Sequence, residues 1–144
     1  MLSQKSKYAI RSVLFIAAES SEEKGLKGGK EIAESLKIPF AFTSKILQEL
    51  AKKNIISSIK GPNGGFFLSK QNAQIPLIEI IELMGDGGYF RECGLGLTEC
   101  SEEHPCPIHD IFKIGRDKLQ LLFNTKTIGD LGKDVKESEL FLVR

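Results

Sequence analysis

Residues 40–69, FAFTSKILQELAKKNIISSIKGPNGGFFLS, decide the fold of this chain. The first half repeats apolar side chains at helical spacing: Ile46, Leu47 and Leu50, with Phe42 or Thr43. It predicts a helix from about Phe40 to Lys53 with one inward face. Pro39 opens that helix, where its missing N–H is harmless. On another side Ala41, Ser44, Lys45, Gln48 and Lys52 recur at spacings of three, four and seven. These side chains are small, basic or amide-bearing, the kinds that reach base edges and phosphates in a major groove. Two apolar runs follow, Ile55 to Ile59 and Phe66 to Ser69, separated by Lys60-Gly61-Pro62-Asn63-Gly64-Gly65. Pro62 cannot extend a strand ladder, and Asn-Gly supplies the positive φ of a tight turn, so the two runs predict a hairpin.

A polar stripe on one helix is an ordinary solvated face in most proteins, and its neighbours change that reading. A short helix is predicted from Gly29 to Leu36, with Ile32, Ala33 and Leu36 on its apolar side. Lys37-Ile38-Pro39 breaks it, because proline disfavours helical geometry at the residue before it. Two short helices joined by a tight turn make a helix-turn-helix, and a hairpin after it makes a wing. Lys60, Gly61, Pro62, Asn63 and Gly64 then form a small tip that can lie on a phosphate backbone or enter a minor groove. The glycines match neither GxGxxG nor GxxxxGK[ST], and a hairpin is the wrong context for a nucleotide loop.

Upstream, Ser3 or Ser6 can cap a first helix running to about Glu19, with Ile10, Val13, Leu14, Ala17 and Ala18 at helical spacing. Ser20 to Gly25 reads as a loop. Downstream, Ile75 to Met84 predicts an apolar helix ending at Gly85. A longer helix is predicted from Pro107 to about Asn124, striped by Ile108, Ile111, Phe112, Leu119, Leu122 and Phe123. Little remains in its own chain to cover it, so burial against a second copy predicts a homodimer. The tail from Thr127 holds a short helical stretch at Ile128 to Leu131. The expected fold is mainly α with a small β-hairpin wing (α+β). Residues 1–84 form a winged helix-turn-helix, 85–106 a cysteine-rich loop, and 107–144 a dimerisation helix and tail.

That loop concentrates the chemistry. All three cysteines and one histidine fall in it as C-x(6)-C-x(5)-C-x(2)-H: Cys93, Cys100, Cys106 and His109. Thiolates and imidazole hold zinc or iron–sulfur clusters. The segment is glycine-rich and polar, so a bound metal would supply ordering free energy that burial cannot. If Cys106 caps the last helix and Pro107 is its first residue, Cys106 and His109 share a face. The helix dipole would then favour Cys106 as thiolate. His104, in the loop before Pro105, is the weaker candidate for fourth ligand. Zinc is the rival metal, although structural zinc usually draws on Cys-x₂₋₄-Cys pairs, which this loop lacks.

Bulk properties fit this reading. The chain has 144 residues, 41% hydrophobic and 27% charged, the make-up of one ordinary globular domain. Its net charge of +1 hides an asymmetry: residues 1–75 carry 12 Lys or Arg against 6 Asp or Glu, whereas residues 76–144 carry 8 against 13. A basic first half suits a polyanion such as double-stranded DNA. No apolar run approaches the ~20 residues of a membrane span, and no signal-peptide core follows Met1. A cytoplasmic location is expected, where clustered cysteines more often bind metal or do redox work than form structural disulfides. No paired carboxylate, Ser/His/Asp set or phosphate loop argues for an enzyme or a small-molecule substrate.

Taken in order, Tyr8-Ala9-Ile10-Arg11, Ile46-Leu47-Gln48-Glu49-Leu50, Lys60 to Phe66 and the three-cysteine loop resemble the IscR/NsrR (Rrf-two) family of bacterial winged-helix regulators. The resemblance covers about residues 1–125. It implies a homodimer that binds palindromic operator DNA through the third helix and wing, with an iron–sulfur cluster setting DNA affinity or sequence preference. It places Cys93, Cys100 and Cys106 on the family's cysteine ligands, and His109 on the histidine that completes a 2Fe–2S site in the IscR-like branch. Ser44, Lys45 and Gln48 fall in the base-reading segment, where IscR has Glu-Gln at the Ser44-Lys45 positions. The first cysteine gap is one residue longer than usual. Tyr8 and the absence of Asp, Glu or His before Glu19 disfavour a cross-subunit ligand from the first helix.

The expectation is a DNA-binding transcriptional regulator, a repressor, whose cluster senses cluster supply, redox state or nitric oxide. A 4Fe–4S cluster, or a zinc or thiol-switch site without iron, is the alternative. A small iron–sulfur electron carrier fits less well, because it would need neither a wing nor the charge asymmetry.

Overall fold

Ser3 starts the first helix: its hydroxyl accepts the Ser6 N–H at 3.3 Å and caps α1 (Gln4–Glu19). The computed structural model describes residues 1–20 and 25–144, so most of the expected loop from Ser20 to Gly25 lies outside the described residues. Beyond it come α2 (Gly29–Leu36), α3 (Phe40–Lys52), β1 (Ser57–Ile59), β2 (Gly65–Phe67) and a 3₁₀ turn at Asn72–Gln74. Then follow α4 (Leu77–Leu83), a second 3₁₀ turn at Gly87–Phe90, α5 (His109–Thr125) and α6 (Ile128–Glu137). This is the expected winged helix-turn-helix, mainly α with one antiparallel hairpin. No helix among the described residues is long and apolar enough to cross a membrane.

The helix-turn-helix is built as its sequence requires. Lys37 takes a left-handed φ of +52°, and the Ile38 N–H returns to the Ala33 carbonyl at 3.0 Å, turning the chain before Pro39. Ile46, Leu47 and Leu50 then meet Ile32, Ala33 and Leu36 of α2 and Ala9, Val13 and Ile16 of α1, all essentially sealed from solvent. Each such aliphatic side chain stabilises the fold by about 1.5–3 kcal/mol relative to exposure. Thr43, not Phe42, completes the inward face: it is buried and its hydroxyl donates to the Pro39 carbonyl at 2.8 Å. Phe42 stays partly exposed, edge-on to Tyr8 with ring centroids 5.7 Å apart.

The hairpin pairs Ser57 with Phe67, Ser58 with Phe66 and Ile59 with Gly65. Its loop corrects one expectation. Asn63 does not carry the positive φ; Gly61 does, at +113°. Pro62, with φ fixed by its ring, then leads the turn that the Gly64 N–H closes onto the Gly61 carbonyl at 3.0 Å. Gly64 is required for a different reason, since a Cβ there would sit 2.0 Å from the Ile59 carbonyl oxygen.

Two further differences concern the last third. α5 begins at His109, with Ile108 as its N-cap, so Cys106 does not cap it and Pro107 is not its first residue. Cys106 has no side-chain oxygen to accept first-turn N–H groups; its carbonyl instead accepts the His109 N–H at 2.9 Å in the turn before the helix. The tail is also more than a short helical stretch. Thr127 and Asp130 form a capping box, and Ile128 is buried in the core. Gly132 lies so close to α1 that a Cβ would stand 2.4 Å from that of Ala17. α6 thus covers α1, and the tail beyond it is held where Arg11 Nε donates to the Leu142 carbonyl at 2.8 Å.

Candidate functional site

Two regions carry functional chemistry. The first is the exposed side of α3 with the wing. Ala41, Lys45, Gln48 and Lys52 are exposed along the helix, and Ser44 is half-buried, within 3.4 Å of the Gln48 amide nitrogen. A cleft of about 780 Å³ separates helix from hairpin; Gln48 and Lys52 line one wall and Lys60, Gly61 and Gly64 the other. Ala41, Ser44 and Lys45 lie nearer the helix start, outside the cleft, and Pro62 and Asn63 stand exposed at the wing tip. Lys27 fixes the base of the wing by exchanging two backbone hydrogen bonds with Phe66, at 2.9 and 2.8 Å. Buried Asn72, which pattern reading missed, fastens the other end. It accepts from Ser57 Oγ at 2.7 Å and the Ser69 N–H at 3.0 Å, and donates to the Asn54 carbonyl at 2.8 Å.

The second region is the cysteine loop against α5. The structure groups the four candidate ligands as two pairs. Cys93 and Cys106 lie 3.8 Å apart between sulfurs, and Cys100 Sγ lies 3.6 Å from His109 Nδ1. The backbone links them, because Cys106 and His109 share the turn that opens α5. Among the described residues no three His, Cys, Asp or Glu side chains converge on one point. His109 is buried, whereas His104 is exposed and held away through its N–H to Ser101 Oγ at 3.2 Å. Backbone N–H groups of Leu95 and Leu97 hold the Cys93 thiol below its ordinary pKa, against the opposing effect of burial. The Leu95 N–H lies 3.4 Å from that sulfur. Gly94 lies flat on the Phe112 ring, which leaves no room for a Cβ.

Asp86, at the start of the loop, ties it to the helix-turn-helix body. It accepts the Ser3 N–H and Ser3 hydroxyl, both at 2.7 Å, and the Ser6 hydroxyl at 2.5 Å. Burial opposes ionisation of Asp86, but the hydrogen bonds from Ser6 and Ser3 outweigh it and lower its pKa. From the far side, Phe123 of α5 packs on Phe90 with ring centroids 5.8 Å apart.

A recognition helix, a tethered wing and a basic amino-terminal half define a DNA-binding transcription regulator. Residues 2–134 match the model of the Rrf2 family, described as an iron-dependent transcriptional regulator, and the chain belongs to that family. It is 35% identical over 139 residues to a putative HTH-type transcriptional regulator of Aquifex aeolicus, covering 95% of this chain and 94% of the relative. It is 28% identical to the HTH-type transcriptional regulator IscR of Cronobacter sakazakii, covering 90% and 78% respectively. Among solved structures it superposes on CymR, the global cysteine regulator of B. subtilis, with a TM-score of 0.72 at 20% identity. That match covers 92% of this chain and 96% of CymR. The protein is therefore a helix-turn-helix transcriptional regulator that binds DNA, not an enzyme.

Proposed function

We propose that this regulator represses transcription as a homodimer on palindromic operator DNA, and that a 2Fe–2S cluster held by Cys93, Cys100, Cys106 and His109 sets its affinity. The two-by-two grouping of these ligands carries the proposal. A tetrahedral metal with bonds of about 2.3 Å to sulfur and 2.0 Å to nitrogen has donor–donor edges of roughly 3.8 Å and 3.5 Å. The Cys93–Cys106 and Cys100–His109 separations, 3.8 and 3.6 Å, fit one such edge each. Two irons with two protein ligands each is the 2Fe–2S arrangement. A single zinc needs all four donors around one point, and a 4Fe–4S cluster takes one ligand per iron. When bound, the cluster supplies a crosslink sensitive to redox state and iron supply.

The chain's own residues convey that state. Asp86 joins the start of the loop to the N-terminus of α1, and His109 joins its end to α5. Half-sites on an operator lie one helical turn apart, so a shift of a few ångströms between recognition helices changes affinity. Anaerobically purified protein should contain two irons and two sulfides per chain, and cluster-loaded dimers should bind at least one operator about 5- to 150-fold more tightly than cluster-free ones. Stoichiometric zinc without iron or sulfide overturns the cluster. Equal operator affinities with and without it overturn the sensing role.

One observation favours a second reading. Cys93, with its lowered pKa, faces Cys106 across 3.8 Å, a gap that closes to about 2.05 Å in a disulfide. A thiol switch would appear as iron-free protein whose operator binding is reversed by dithiothreitol.

On DNA, Lys60 contacts phosphate and Gln48 reads a base. Lys60→Ala should weaken all sequences alike and reduce the salt dependence by about one unit of slope. Gln48→Ala should cost about 1–3 kcal/mol at a single base position. Uniform loss across an operator library in the Gln48 variant would reassign that side chain to the backbone.

A further inference from the structure

α5 presents His109, Lys113 and Arg116 at positions i, i+4 and i+7, one face of a helix, to the cysteine loop. Each meets a different part of it. His109 Nδ1 faces Cys100 at 3.6 Å, and Lys113 Nζ pairs with Glu102 at 3.0 Å. Arg116 Nη1 donates to the Glu92 carbonyl at 3.3 Å. Arg116 stands apart because its side chain is only 8% exposed, in a class almost never buried unless paired. The carboxylate it meets is Asp117, its own neighbour, at 3.4 Å and half-exposed, a poor counterweight for a buried charge. Its hold on the loop is through the Glu92 carbonyl, the residue before Cys93.

We propose that Arg116 is the positioning residue of the cysteine loop: its buried guanidinium clamps the Glu92–Cys93 limb to α5, two turns from the His109 that faces Cys100, and supplies positive charge beside the thiolates. The fork geometry matters, since a guanidinium can reach two acceptors at once whereas an ammonium is a point charge. The assignment rests on the cluster reading for its electrostatic part only; the clamp is a property of the protein alone. One-electron reduction turns one of two ferric ions ferrous, breaks no protein bond and adds one negative charge. Arg116, bonded to the residue before Cys93, favours that added charge.

Arg116→Gln and Arg116→Lys test both parts. An anaerobic titration with dithionite, itself oxidised to sulfite, reads the reduction equilibrium of the loaded protein. Loss of the charge in Arg116→Gln should lower that equilibrium constant at least about tenfold, roughly 59 mV for a one-electron couple. Arg116→Lys should recover most of the shift. Amide hydrogen exchange of cluster-free protein reads the clamp: residues 92–106 should exchange faster in both variants, with α1 to α3 unchanged. A native reduction equilibrium in Arg116→Gln, or an equal shift in both variants, overturns the electrostatic role, and unchanged loop exchange overturns the clamp. If Arg116→Gln does not fold, Arg116→Lys carries the test: a near-native equilibrium with faster loop exchange is expected, and native exchange overturns it. If the native protein takes up no cluster, the cluster reading fails and the exchange measurement alone decides Arg116.

Discussion

Alanine at Cys93, Cys100 or Cys106 should abolish the visible chromophore and reduce bound iron and sulfide to background, while His104→Ala leaves all three unchanged. The pairing explains why each loss is complete. In the proposed site, removing Cys93 would leave Cys106 as the sole protein ligand at one metal position, and removing Cys100 would leave His109 alone at the other. The loop's other histidine is no replacement, since His104 is exposed and its N–H is held by Ser101 Oγ. His109→Ala should act like the cysteine variants. His109→Cys should retain a cluster with a lower reduction potential, because replacing a neutral imidazole by a thiolate adds negative charge. None of the cysteines belongs to the main hydrophobic core, so the variants should keep native far-ultraviolet circular dichroism. A chromophore that survives Cys93→Ala would break the assignment of that residue.

How much of this was legible in the sequence depends on how far each interaction reaches along the chain. The bounds of α2 and the inward face of α3 follow from local spacing and from Pro39, and both appear in the structure as expected. The wing was legible from Pro62 and its glycines, but the positive φ fell to Gly61, because Pro62 sets the turn one residue earlier than Asn-Gly alone suggests. The four candidate ligands were visible as a cluster of residue types. Their pairing was not: spacing favours Cys106 with His109, yet the loop folds back to set Cys93 against Cys106. Arg116 gave no signal, since an arginine on an amphipathic helix reads as solvent-facing until the loop covers it. The tail was legible only in part: Ile128, Leu131 and Val135 recur at helical spacing and carry the helix past Leu131, but its packing on α1 joins residues more than a hundred apart, as where Gly132 meets Ala17.

Ile114→Glu and Leu121→Glu should each convert the protein to a monomer and weaken binding to a palindromic operator by about 10²- to 10⁴-fold, the usual gain from linking two binding modules. The stripe expected along α5 divides in the structure. Phe112 and Phe123 turn toward the cysteine loop and Phe90, while Ile111 is 84% exposed and is joined by Ile114 and Leu121, outside the expected stripe, at 59% and 62%. Ile108, Leu119 and Leu122 extend the same open face. Contiguous aliphatic exposure on one long helix is unusual for a monomer, and a second copy of α5 packed against it would cover both surfaces by a two-fold axis. A carboxylate at the centre of that contact would be buried without a partner, twice over, in every dimer. Because both positions face solvent in the isolated chain, the substitutions should leave its folding within about 0.5 kcal/mol of native. Sedimentation reads the mass, and a duplex carrying a single half-site is the control. Each monomer should bind that half-site as well as one subunit of the native dimer does. Variants that sediment as dimers with native operator affinity would move the dimer contact away from α5.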